Sequence, residues 1–183
     1  DARYYAPLKP DGANLNTLRT HEALAANTEP LIWGLREVVD YAEVVLNRDD
    51  VDAKADAFID FLAERVVGRE FHEERLRNQP FEVQSFADLD EFFRAIFDYL
   101  EGVGGRGGEV WRTHHIATIR KVRNRLNNIA TRSKGLVTDD GSVNDLPWGR
   151  FSDRGMYVVD VAGLDPLAQD LVFARIVSQL REH

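Results

Sequence analysis

Residues 156–160 constrain the fold most, because Met156-Tyr157-Val158-Val159-Asp160 is an apolar run closed by an aspartate. Gly163 supplies a turn, and Asp165-Pro166 opens an amphipathic stretch that continues toward the last residues. An unbroken apolar run suits a strand buried on both faces, and the helix after it suits the crossover that parallel pairing requires. A parallel strand over 156–161 followed by a helix over 165–182 is therefore expected. A nucleotide-hydrolysing core on such a sheet also needs a glycine-rich loop with Lys and Ser/Thr to neutralise phosphate. No G-x-x-x-x-G-K-[ST] occurs in these 183 residues.

Hydrophobic content of 44% and charged content of 30% are ordinary for a globular protein. Cysteine is absent, which excludes disulfide scaffolds and Cys-ligated zinc and fits a cytoplasmic protein. No apolar run approaches the ~18–20 residues that span a bilayer, so no membrane partner is expected. The chain opens on Asp1 rather than Met, which fits an excised or partially ordered piece. Its charge is segregated. Residues 106–134 hold eight Lys/Arg against Glu109 alone, a local charge of +7, so the remainder carries −15 of the net −8. Such segregation points either to one polyanion-facing surface or to a basic helix docked on acidic neighbours.

Residues 3–7 read as a short strand, 8–14 as irregular, and about 16–26 as a short helix. Thr28 is placed to cap a long helix with Pro30 in its first turn and a stripe of Leu31, Leu35, Val38, Ala42 and Val45. After a polar link, Val51, Ala55, Phe58, Leu62 and Val66 mark a second helix that stops at Gly68. Ser85 opens a third with Asp88 as its capping-box partner, over a stripe of Leu89, Phe93, Ile96 and Leu100. Gly102–Gly108 form a flexible connector. A fourth helix is expected from about Glu109 to Thr131, with Ile116, Ile119, Val122, Leu126 and Ile129 inward. The expected architecture is mainly α: residues 1–27 enter from an α/β core, 28–134 form a four-helix bundle, and 135–183 return to the core.

On the fourth helix Lys121, Arg125, Asn128 and Arg132 share one face, and Arg120 and Arg123 flank it. Cations at helical pitch can touch successive phosphates without reading sequence, so these five basic residues are the candidate nucleic-acid contacts. The alternative is a solvated face or ion pairing within the bundle. His114-His115 point about 100° apart on a helix and His72-Glu73-Glu74 lacks a partner motif, so no metal site is expected. Asp49, Asp50, Asp52 and Asp56 lack the glycine and terminal Glu of a calcium loop and suit a helix start. Asp160-Val161-Ala162-Gly163 matches D-x-x-G. Asp160 could stand at the carboxyl end of a nucleotide-binding sheet, or simply bond nearby turn amides. No convergent Ser/His/Asp, Cys/His or paired-acid pattern indicates a catalytic residue in the chain.

Taken together, three groups of segments resemble HerA-type P-loop ATPases of the HerA/FtsK superfamily. The first is Tyr5-Ala6-Pro7-Leu8-Lys9-Pro10-Asp11-Gly12 with Asn16-Thr17-Leu18-Arg19. The second is His114-His115-Ile116-Ala117-Thr118-Ile119 with Arg123-Asn124-Arg125-Leu126. The third runs from Gly155 to Leu164, with Ala168-Gln169. The resemblance implies a RecA-like core interrupted by a helical insertion, with both Walker motifs outside this segment. It further implies ATP and Mg in the parent protein, a hexameric ring, DNA as the translocated partner, and a nuclease or other effector. The segment itself would hold no cofactor. The other expectation left open is a non-catalytic helical protein-interaction module, or an enzyme whose site shows no familiar pattern.

Overall fold

The structure, a computed structural model, describes residues 2–8, 27–46, 52–139, 141–151 and 154–182. The expected helix over 16–26, the stretches 9–12 and 16–19, and Asp49 and Asp50 lie outside the described residues. The protein is mixed α/β and divides into two compact units, Asp1–Gly34 with Ile129–His183, and Leu35–Asn128. No helix among the described residues is long and apolar enough to cross a membrane.

Among the described residues, the first unit carries a three-stranded, wholly parallel sheet. Strand β1 (Ala2–Pro7) lies between β2 (Thr28–Leu31) and β7 (Met156–Val159). Tyr4–Pro7 pair with Thr28–Leu31 on one edge, and Ala2–Tyr5 pair with Met156–Val159 on the other. A strand forms within the expected 156–161, four residues long, but it is half-buried with Met156 62% exposed and not buried on both faces as expected; a helix follows at Pro166–Glu182. Tyr5, Ala6, Leu31 and Trp33 are at most 1% exposed.

Thr28–Leu31 corrects the expected long helix. The apolar spacing there fits a helix, but the segment pairs with β1 instead, and Pro30 is tolerated because β2 is an edge strand. Beyond it, Ile32 and Trp33 continue as bridges to Asn144 and Val137, so helix cannot begin before Gly34. Residues 28–34, expected in the bundle, consequently sit with the sheet.

A polar knot ties this unit together. The Asp145 carboxylate accepts from Trp33 Nε1 at 3.2 Å, Trp148 Nε1 at 2.9 Å, the Leu146 amide at 2.8 Å and Arg175 Nε at 2.8 Å. The Arg175 guanidinium also lies 5.3 Å from the Trp33 ring centroid. Each charge is only 12% exposed, so the pair depends on this full set of donors to offset desolvation. Gly135 (φ +88°) is a second fixed point. Its carbonyl accepts the Leu8 amide at 2.6 Å, and a Cβ there would lie 1.7 Å from the Leu8 oxygen.

The second unit begins with two single-turn helices, α1 (Leu35–Val39) and α2 (Ala42–Leu46). Helix α3 (Ala53–Phe61) is capped by Asp52, which accepts from the Lys54 and Ala55 amides, and runs into a π turn at Leu62–Val66. Strands β3 (Glu70–Phe71) and β4 (Phe81–Glu82) pair antiparallel before α4 (Phe86–Val103). The Ser85/Asp88 capping box forms as expected.

The fourth helix starts later than expected. A 3-10 turn at Gly105–Glu109 and a tight hairpin, β5 (Val110–Trp111) and β6 (His114–His115), precede α5 (Ile116–Arg132). Arg112 turns the hairpin with φ +53°, a place usually taken by glycine. Its guanidinium compensates by pairing with Glu73 at 2.9 Å and sitting 5.4 Å from the Phe61, Phe71 and Trp111 rings.

An aromatic nest fills this unit, with Phe92 edge-on to Phe71, Phe81 and Trp111, and Phe58 against Phe93 and His114. Burial and the nearby Arg112 charge hold the His114 imidazole below its ordinary pKa. The expected core residues Leu35, Val38, Phe58, Leu62, Phe93, Ile96 and Leu126 are buried in this unit, at most 1% exposed; Ile129, expected in the same core, is also buried but belongs to the sheet-bearing unit.

Truncating Phe93 to Ala removes a fully buried ring and should cost ~3–5 kcal/mol in denaturant titration. A loss below ~1 kcal/mol would show that the ring does not pack as described. Replacing Asp145 with Ala strands the Arg175 charge and should cost about 3–5 kcal/mol, with Asn, which keeps one acceptor, costing less. Equal losses for the two variants would mean that the carboxylate charge, which both remove, carries the stabilisation, and losses below ~1 kcal/mol for both would show that the ion pair does not hold this unit.

Candidate functional site

Two places gather the residues singled out from the sequence. The first is the carboxyl edge of the parallel sheet, where open α/β folds bind ligands. The Asp160 amide extends the ladder by donating to the Tyr5 carbonyl at 2.8 Å, which sets Asp160 just past β7. Its carboxylate accepts the Ala162 amide at 2.9 Å, the geometry of a turn aspartate. Asp165 caps the following helix, α6 (Pro166–Glu182), by accepting the Leu167 amide at 3.0 Å. Gln169 fastens the same turn by donating to the Val161 and Leu164 carbonyls at 3.2 and 3.0 Å. This turn is built largely from its own hydrogen bonds. The first unit also has an apolar cleft of about 280 Å³ lined by Trp148, Tyr157, Ile176 and Leu180 among others. Its lining among the described residues is apolar and aromatic.

The second place is the basic face of α5. Ile119, Val122, Leu126 and Ile129 are buried, so the cations fall on the outer and flanking faces. Lys121 Nζ reaches Asp52 at 2.7 Å, and Arg123 reaches Asp90 at 2.6 Å. Arg132, which belongs to the sheet-bearing unit, reaches Asp165 at 2.8 Å. Arg125 is half-buried, with one guanidinium nitrogen fully enclosed and without a hydrogen-bond partner. Arg120 is exposed, its guanidinium 5.7 Å from the Phe97 ring, and Arg123 approaches the same ring at 5.8 Å. The structure therefore brings Arg120 and Arg123 together on one ring. It gives Lys121, Arg123 and Arg132 separate carboxylate partners.

These partners shift in the direction the contacts demand. The Asp52 carboxyl is held below the ordinary carboxylate range, first by the Lys121 hydrogen bond and then by the Ala55 amide. Burial alone would raise Asp90, but hydrogen bonds from Arg123 and Arg94 outweigh it and lower the carboxyl. Asp88 is likewise lowered, because Ser85 and the Gln84 and Ser85 amides overcome burial. A carboxyl lowered in the folded state contributes stability above its ordinary pKa near 4, and that contribution is lost as pH falls through the folded value.

Sequence reading missed Arg94 and Phe97 as neighbours of the basic face. The Asp90–Arg94 spacing of four was the available local signal. Among the described residues, no group of three or more His, Asp or Glu is placed to hold a metal ion. Compared with known proteins, the chain matches no family model and no curated protein.

The Lys121–Asp52 contact can be read directly in solution. Lys121→Met should raise the Asp52 pKa in a carboxyl-resolved NMR titration and leave Asp88, which is held by Ser85 and the Gln84 and Ser85 amides, unchanged. An unmoved Asp52 would show that Lys121 is not engaged with it.

Proposed function

We propose that the chain is an internal segment of a HerA-type, ATP-driven DNA translocase. The 35–128 unit would be the helical insertion, and residues 1–34 with 129–183 part of a RecA-like core. The observation that carries this reading is the parallel β2-β1-β7 sheet. Asp160 stands just beyond β7, and a whole separate unit lies in the chain between β2 and β7. With no phosphate-binding loop in this sequence, ATP and Mg would be held by other parts of the polypeptide. Asp160 would be a neighbour of the nucleotide rather than its ligand. A homo-oligomeric ring, DNA, and a nuclease or other effector are the partners this reading implies. Arg120, Lys121, Arg123, Arg125 and Arg132 remain its candidate DNA contacts.

A second reading, a non-catalytic helical protein-interaction module, is favoured by a specific observation. Lys121, Arg123 and Arg132 each meet a carboxylate within the fold. Such partly exposed pairs are weak, typically ~0–1 kcal/mol, so a phosphate can compete for them. The pairing therefore does not by itself decide against DNA.

Nucleotide turnover separates the two. Isothermal titration of this chain alone with Mg-ATP should give no appreciable binding, because its sequence holds no phosphate-binding loop with the lysine that counters triphosphate charge. The natural polypeptide that carries it should hydrolyse ATP, and added DNA should accelerate turnover. Micromolar binding by the chain alone, or no hydrolysis by the natural polypeptide, overturns the translocase reading.

A further inference from the structure

We propose that Arg94, Phe97, Arg120 and Arg123 form a clamp for the nucleic-acid backbone on the 35–128 unit, binding consecutive phosphates without regard to sequence. The identity of the polyanion as DNA rests on the translocase reading above. The clamp itself rests on how these side chains are arranged.

Asp90, Arg94 and Phe97 are spaced four and three apart on α4, so they share one face. Asp90 splits its carboxylate between two arginines from different helices. Oδ2 takes Arg94 Nη2 at 2.7 Å, and Oδ1 takes Arg123 Nη2 at 2.6 Å. Phe97 then carries Arg120 and Arg123 at 5.7 and 5.8 Å. Three guanidiniums thus gather at one carboxylate and one ring, so the cations outnumber the acid they share. Two of the three are ordered before any ligand arrives, which lowers the entropic cost of engaging phosphate. Guanidinium forks suit phosphate oxygens because each presents parallel N–H donors. Of the acids nearby on α4, Glu91 is paired with Arg77, while Asp98 and Glu101 stand four residues beyond Arg94 and Phe97 and are exposed beside the clamp.

The Lys121, Arg125 and Arg132 row is less suited to the task. Asp52 and Asp165, which hold Lys121 and Arg132, also cap α3 and α6, so drawing the cations away disturbs two helix starts. Arg125 is half-buried. Asp90 lies within α4 and caps nothing, so its arginines can exchange to phosphate. The Arg94 side chain is 69% exposed and Arg120 is also exposed, so both are accessible and replaceable.

The test is fluorescence anisotropy of a labelled, mixed-sequence single-stranded oligonucleotide with the natural polypeptide across a range of salt. Arg94→Ala with Arg120→Ala should weaken binding and reduce the log–log salt slope by about 1.4, roughly 0.7 for each lost contact. Arg120→Ala alone should remove about half of that, and Arg120→Lys should keep the slope. ATP turnover without DNA should be unchanged in every variant. Wild-type affinity and slope in the double variant overturn the clamp. So does a slope loss confined to a Lys121→Glu, Arg125→Glu variant, which would return the surface to the other row. Oligonucleotide binding by wild-type polypeptide that hydrolyses no ATP overturns the translocase reading, and the slope still decides the clamp. A wild type that does not bind the oligonucleotide overturns the clamp.

Discussion

Parallel pairing on both edges of β1 is the constraint on which the sheet-bearing unit depends. Antiparallel neighbours can be joined by two residues, but parallel neighbours need a crossover of a dozen or more. Tyr4–Pro7 and Ala2–Tyr5 take their partners from Thr28–Leu31 and Met156–Val159, so both connections are long. The second connection is long enough to hold the whole 35–128 unit. The same pairing collects the carboxyl ends of all three strands at one edge. Leu8, meeting Gly135, follows one of these ends, and Asp160 follows another.

The two units are held by different physical means. The sheet-bearing unit concentrates polar bonds on Asp145, drawing Trp33, Trp148 and Arg175 from distant parts of the chain to one carboxylate. A buried ion pair of this kind breaks even only when every lone pair is used, and here Leu146 supplies a further donor. The 35–128 unit relies on ring packing around Phe92, whose edge-to-face contacts add to buried area, and around Phe58, whose ring is tilted against Phe93. Arg112 shows the two means combined. A strained backbone is kept because its guanidinium meets Glu73 and three rings.

Charge segregation in the sequence becomes a set of local neutralisations in the fold. The basic α5 meets Asp52 of the α3 cap and Asp90 of α4, and its last residue meets Asp165 of the α6 cap. These contacts differ in what else the carboxylate does. Where the acid also caps a helix, the cation is tied to local structure. Where the acid serves only arginines, as at Asp90, the cations remain available to another anion.

Local pattern was enough to determine much of this protein. The apolar run at Met156–Val159, the Ser85/Asp88 capping box, and the stripes of α4 and α5 were legible because they depend on neighbours within a few residues. The strand at Thr28–Leu31 was not legible, since its helical spacing was overridden by hydrogen bonds to a strand more than twenty residues earlier. The hairpin at Val110–His115 was hidden for a related reason: the positive φ of Arg112 is stabilised by Glu73, which lies far from it in sequence. The candidate cations were legible as a row, because helical pitch fixes which residues share a face. Which carboxylate each would meet, and that Arg94 and Phe97 would join Arg120 and Arg123, was decided only in three dimensions, where contacts form between residues that no local periodicity relates.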